Sequence, residues 1–192
     1  MNVNPRLSQK ELVELVERSR SGDRSAYGQL VELYQTKAMR VAINLLGNCD
    51  DAAEAVQAAF VRAYQNVRKL RNAEVFGTWL FRIVTNTAIS HLRDRCRRAQ
   101  TTEQFNCTKA SGGHTGPEAN EKARELSHAI GEAMRRLPKK EAKAIALFAL
   151  DDLSYAEVAG IMRCSVETAR WYVHKARQKL KVLLKEYLQG TE

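Results

Sequence analysis

Residues 153–178 read LSYAEVAGIMRCSVETARWYVHKARQ, and their pattern decides the fold. Ser154 followed three residues later by Glu157 is a capping box. The hydroxyl accepts from the N3 amide and the carboxylate returns to the cap's own N–H, so a helix starts here. That helix runs through Met162 and turns Val158, Ala159 and Ile161 inward. Arg163-Cys164-Ser165 leaves room only for a tight turn, and Ser165 or Val166 then opens a longer helix. Two helices joined so closely have the spacing of a helix–turn–helix, whose second helix enters the DNA major groove. At about 100° per residue, Val166, Ala169, Val173, Ala176 and Leu180 share one arc and pack against the preceding helices. Glu167, Arg170, Trp171, His174, Lys175 and Gln178 lie on the other side. Arginine pairs with guanine edges, lysine and histidine reach bases or phosphates, and tryptophan can meet a thymine methyl or pack on sugar. A merely solvated face would account for the charge but not for an outward tryptophan among cations.

Upstream of this stretch, helical patterning runs from about Glu118 to Leu137, stops at Pro138, and resumes over Lys139–Leu150. Residues 99–120 include TTEQFNCTKASGGHTGPEAN, poor in apolar residues and rich in Ser, Gly and Thr, which is the composition of a linker. The N-terminal half also reads as helices. Ser8 with Glu11 is another capping box, opening a helix that stops near Gly22. A second helix starts near Asp23 and ends at Gly47, a third spans about Asp50 to Lys69, and a fourth about Phe76 to Arg98. No stretch alternates apolar and polar residues long enough for a strand. The expected fold is all-α, two small helical domains joined by a flexible linker.

The fourth helix carries a second surface. Trp79, Arg82, Asn86, Ser90, Arg93 and Arg97 fall in a stripe about 80° wide on a helical wheel, whereas Leu80, Ile83, Val84, Ala88 and Leu92 fall elsewhere and face the core. An aromatic ring, an amide and guanidinium groups on one stripe suit unpaired nucleotides: bases stack, the amide reads an edge, and arginines hold phosphates. Arg68, Lys69 and Arg71 precede this helix and could add phosphate contacts. The bland alternative is a buried Trp79 with solvated arginines.

Charge follows the same two places. The net charge is +9. Nine Lys/Arg stand against two acids between Val61 and Arg98, and seven against one between Arg163 and Lys185, so the rest of the chain is net negative. Two cationic blocks suit a long polyanion, which releases condensed counterions on binding. Cys49, Cys96, Cys107 and Cys164 form no C-x-x-C pair, and His114 near Cys107 lacks further ligands, so neither a metal nor any other cofactor is expected. No secretory leader and no apolar run of about 18 residues is present, so a cytoplasmic protein without membrane insertion is expected. No Gly-rich phosphate loop or Ser/His/Asp set is present, and the chain is not expected to be an enzyme.

Three runs resemble a known family. Asp51-Ala52-Ala53-Glu54-Ala55-Val56-Gln57-Ala58-Ala59-Phe60 resembles the acidic, glutamine-bearing segment of bacterial sigma factors. Phe76-Gly77-Thr78-Trp79-Leu80-Phe81-Arg82-Ile83-Val84-Thr85-Asn86 resembles the F-x-T-W-L-x-R-I-A-x-N run of their extracytoplasmic-function group. Leu137-Pro138, Asp152 to Ala159, and Val166 to Arg170 resemble that group's C-terminal domain.

The resemblance implies sigma region 2, a four-helix domain, over residues 1–98, a linker over 99–120, and the region 4 helix–turn–helix over 121–192. It implies docking on core RNA polymerase through Asp51, Glu54 and Gln57. Unpaired −10 promoter DNA would be captured through Arg68, Lys69, Trp79, Arg82, Asn86, Arg93 and Arg97. The −35 duplex would be read through Arg170, Trp171, His174, Lys175 and Arg177. An anti-sigma factor is a further partner that the family implies. Ala53 and Ala58 stand where the family often has acids, and Trp171 where a small residue is common. The alternative is a stand-alone helix–turn–helix repressor or activator, for which no dimerisation segment is left over.

Overall fold

A computed structural model describes residues 8–101, 119–150 and 153–189, without the side chains of 95–101, 119–125, 127–128 and 186–189. The linker reading thus falls mostly outside the described residues, as do Cys107, His114, Asp152 and the Arg97 and Cys96 side chains. The described residues form α-helices and short 3₁₀ turns, with no strand among them.

The N-terminal module holds α1 (Gln9–Arg20), α2 (Arg24–Leu46), α3 (Cys49–Asn66) and α4 (Phe76–Thr101). Each start has a local cause. Ser8 and Glu11 close a reciprocal capping box on α1. Asp23 accepts from the Ser25 and Ala26 amides to cap α2, and its other oxygen takes a 2.7 Å bond from Arg18. Gly47, left-handed at φ 77°, ends α2, and Asn48 caps α3 at once. α2 is the central helix, packed on α1, α3 and α4, while α3 and α4 also pack on each other. Leu30, Val41, Leu45, Phe76, Leu80 and Val84 are fully buried there. Each such side chain contributes about 1.5–3 kcal/mol on leaving water. Tyr34 sets its ring edge against Phe76 and Phe81. Gly77 makes room for it, since a Cβ there would lie 3.1 Å from the Tyr34 hydroxyl.

α3 is shorter than the sequence pattern indicates. It ends at Asn66, whose side-chain amide donates back to the Arg62 carbonyl at 2.8 Å, and Val67–Lys69 is a 3₁₀ turn. The three-residue period of that turn aligns Val67 and Leu70, both buried, and leaves Arg68 and Lys69 outward. A second 3₁₀ turn, Ala73–Val75, leads into α4, which continues to Thr101.

The C-terminal module holds α5 (Ala119–Arg136), α6 (Lys139–Phe148), α7 (Tyr155–Met162) and α8 (Val166–Gln189). Ser154 and Glu157 form the second capping box. Arg163, at φ 56° the only left-handed non-glycine among the described residues, makes the turn, and the Ser165 hydroxyl accepts from the Thr168 amide to start α8. α8 packs on α5, α6 and α7, and Lys179 reaches the buried Glu141 carboxylate at 2.8 Å. The two modules touch: α2 meets α5 and α6, and α4 meets α7. Among the described residues no helix is long and apolar enough to cross a membrane.

Candidate nucleic-acid interface

The arc arithmetic for α8 predicts the buried side in full and the outward side except for Lys175, which is half-buried. Ala169, Val173 and Ala176 are buried, Val166 and Leu180 pack at the edge of the core, and Arg170, Trp171, His174, Arg177 and Gln178 are exposed. Trp171 keeps 52% of its surface in solvent, with the Tyr172 ring edge-on at 5.2 Å and the half-buried Lys175 ammonium 5.9 Å above it. The His174 ring pairs with Gln178 at 2.9 Å. At the head of the helix the Glu167 carboxyl is held below its usual range, first by a backbone hydrogen bond within its own residue and then by Ser165.

Two arginines of this face are steadied by side chains the sequence reading did not single out. Phe148, at the end of α6, and Tyr155, at the start of α7, stack at 4.4 Å with planes 23° apart. Arg170 lies over the Tyr155 ring at 5.3 Å and Arg177 over the Phe148 ring at 4.9 Å. The aromatic pair is thus flanked by one guanidinium on each ring, two helical turns apart on α8. Cation–π contacts of this kind contribute roughly 0.5–1 kcal/mol at exposed sites, enough to restrict where each guanidinium points. Helix periodicity carries no trace of it, because the rings belong to two other helices.

The α4 stripe is placed differently. Trp79 is half-buried, packed on the core with its ring tilted against Phe76 at 5.8 Å. Arg82 crosses to the other module: its Nε donates to the Ile161 carbonyl at 3.1 Å and its Nη2 to the Gly160 carbonyl at 2.9 Å. Asn86 is exposed, and its Oδ1 accepts from the Lys143 ammonium at 3.0 Å. Ser90 and Arg93 are exposed, and Arg97 lies outside the described side chains. Arg68 and Lys69 are exposed on the 3₁₀ turn, where Lys69 donates to the Asn66 side chain at 3.1 Å.

Lys143 is a residue that sequence reasoning missed. It sits half-buried between the modules, and burial, then the nearby Arg82 charge, push its ammonium down to about 8. Arg82 is lowered too, by burial first and then by Arg163. Three cations from three elements therefore gather at one seam.

On α3 the proposed docking residues differ from one another. Asp51 is half-buried and reciprocates the Asn48 cap: its amide donates to Asn48 Oδ1 at 2.8 Å, and Asn48 Nδ2 donates to its carboxylate at 2.7 Å. Glu54 is exposed and pairs with the His91 ring at 3.1 Å, tying α3 to α4. Gln57 is exposed.

Comparison with known proteins matches both modules. Residues 30–98 match Sigma-70 region 2, and residues 127–180 match Sigma-70, region 4. The RNA polymerase sigma-H factor of Pseudomonas aeruginosa is 31% identical over 190 residues, covering 95% of this chain and 98% of that protein. The ECF RNA polymerase sigma-E factor of Escherichia coli strain K12 is 34% identical over 173 residues, covering 86% and 90%. Among solved structures, the sigma factor RpoE of Bartonella quintana, crystallised with the anti-sigma factor NepR, superposes with a TM-score of 0.59 at 25% identity, covering 83% of this chain and 96% of that one.

Proposed function

The chain belongs to the sigma-70 family, in its extracytoplasmic-function branch, and we propose that its two modules divide promoter recognition between opened and paired DNA. It is a promoter-directing initiation factor rather than an enzyme. In this reading α3 docks on core RNA polymerase through Asp51, Glu54 and Gln57. Arg68, Lys69, Trp79, Arg82, Asn86, Arg93 and Arg97 take the unpaired −10 strand. Arg170, Trp171, His174, Lys175 and Arg177 read the −35 duplex. Domain limits of 1–98 and 121–192 go with this division. A regulator of the anti-sigma class and a cytoplasmic site of action belong to the same proposal. A stand-alone repressor is not favoured, since the family match extends to both modules.

The observation that carries the reading is the outward face of α8, where Arg170, Trp171, His174 and Arg177 are all exposed on one helix behind a tight turn. The work done is strand separation without a covalent step. Extruding a base costs a few kcal/mol, and a surface that stacks and hydrogen-bonds it offsets that cost only for a fitting sequence. Run-off transcription with purified core polymerase on a promoter library tests this. Initiation from a subset sharing a two-part motif is expected; failure of the chain to bind core polymerase refutes it.

The aromatic pair makes a narrower prediction. Tyr155→Leu removes the ring beneath Arg170 and is expected to lower −35 duplex affinity about two- to fivefold, the equivalent of roughly 0.5–1 kcal/mol. Tyr155→Phe keeps the ring and should bind like the parent. Equal losses in both variants, measured by fluorescence anisotropy, contradict the steadying role.

A further inference from the structure

We propose that Glu167 is a specificity residue of the recognition helix, accepting a hydrogen bond from the exocyclic amine of a cytosine in the −35 duplex. This rests on the reading of α8 as the duplex-reading helix, and it gives that face an acceptor beside its donors.

Glu167 is the one acid among seven Lys/Arg between Arg163 and Lys185. It is exposed in the first turn of α8, the part of a recognition helix that reaches base edges. An acid in a first turn also favours the helix, through the partial positive charge of the N-terminal amides. That benefit is open to any first-turn acid, including one turned away from DNA. Glu167 instead shares the outward side with Arg170 and Trp171, and with Thr168 and Trp171 it lines an open hollow there. A carboxylate turned toward phosphates weakens binding unless a donor on the DNA meets it.

The carboxylate is held in place and has capacity left. Its own backbone N–H and Ser165 engage it and keep it ionised. An ionised carboxylate has about four acceptor sites, so these bonds leave room for a base. Arg170, on the same face, does not consume it. No ion pair joins the two among the described residues, and the Arg170 guanidinium lies instead over the Tyr155 ring at 5.3 Å. Donor and acceptor thus stand side by side without neutralising each other.

Base chemistry selects the ligand. In the major groove guanine presents the acceptors N7 and O6, and thymine presents O4 and a methyl group. A carboxylate is repelled by those acceptors. Adenine offers its N6 amine, but beside the acceptor N7. Cytosine offers its N4 amine with no acceptor next to it. A group that can only accept therefore favours cytosine.

The test uses the full chain bound to core RNA polymerase. Promoters are selected from a library randomised across the −35 element, and single-base-substituted duplexes then compete for binding. The parent is expected to demand cytosine at one position. Glu167→Ala should lose at least about fivefold of the discrimination there, the lower end of what one wrong base pair costs. It should also bind the substituted duplexes about twofold tighter, as a unit-charge repulsion at ~8 Å in water disappears. Glu167→Gln carries a donor beside its acceptor, so its preference should move toward adenine, whose N6 and N7 it can engage together. A purely helix-stabilising acid would move neither preference. Circular dichroism melting confirms that each variant folds. A folded Glu167→Ala chain with the parent's base profile, changed only by a uniform shift in affinity, overturns the proposal. A parent element with no cytosine-specific position overturns it too, while leaving the duplex-reading role of α8 standing. If the parent selects no −35 element at all, the fault lies in the assignment of α8 to duplex reading, and the proposal falls with it.

Discussion

Arg170→Ala is expected to abolish or strongly relax −35 discrimination while leaving core polymerase binding intact. Arg170 is exposed near the start of α8 and is steered by the Tyr155 ring beneath it. Residues in the first turns of a recognition helix are those that reach base edges. A bidentate arginine contact contributes about 1–3 kcal/mol of discrimination, roughly 5- to 150-fold between right and wrong base. Arg170→Lys should not restore it, because an ammonium lacks the two-point geometry. The check is competition between parent and single-base-substituted −35 duplexes. If the variant keeps full discrimination at every position and loses only a uniform, salt-dependent part of its affinity, Arg170 is a phosphate contact and its assignment to base reading fails.

Asn86→Ala should act on a different step. Initial duplex binding is expected to persist, whereas permanganate reactivity of thymines in the opened segment should drop about tenfold, the effect of losing roughly 1.4 kcal/mol of hydrogen bonding to an extruded base. The free chain should respond in the opposite sense. The same substitution removes the acceptor of Lys143 and so loosens the contact between the modules. A variant whose modules are less tightly joined yet which opens promoters less well separates Asn86's role on DNA from its bond to Lys143. Unchanged thymine reactivity removes Asn86 from the strand-capturing set.

What was legible in the sequence divides along one line. Features with a local cause could be read: the two capping boxes, the turn at Arg163-Cys164-Ser165, and the inward arc of Ala169, Val173 and Ala176. The end of α3 was only half legible. Asn66 and the buried pair Val67 and Leu70 turn the chain into a 3₁₀ step that periodicity at 3.6 residues extends through. Asp51 is the partner of the Asn48 cap, three residues before it, because α3 begins at Cys49, one residue ahead of the start that the apolar period marks.

The contacts of Arg82 and Asn86 were not legible, because Gly160, Ile161 and Lys143 lie 57 to 79 residues away and contacts across helices leave no period. Gly131, a glycine within an otherwise good helix, was the one sequence mark of that packing. The flanking of Phe148 and Tyr155 by arginines was hidden for the same reason.

The meeting of Gly131 with Gly47 joins parts of a single polypeptide. Covalent connection sets their effective concentration on the order of millimolar, so even a few hydrogen bonds too feeble to hold separate molecules together can keep the two modules in touch. Dilution in the cell leaves that balance unchanged. Making more copies therefore leaves unchanged the fraction of molecules in which the two modules touch.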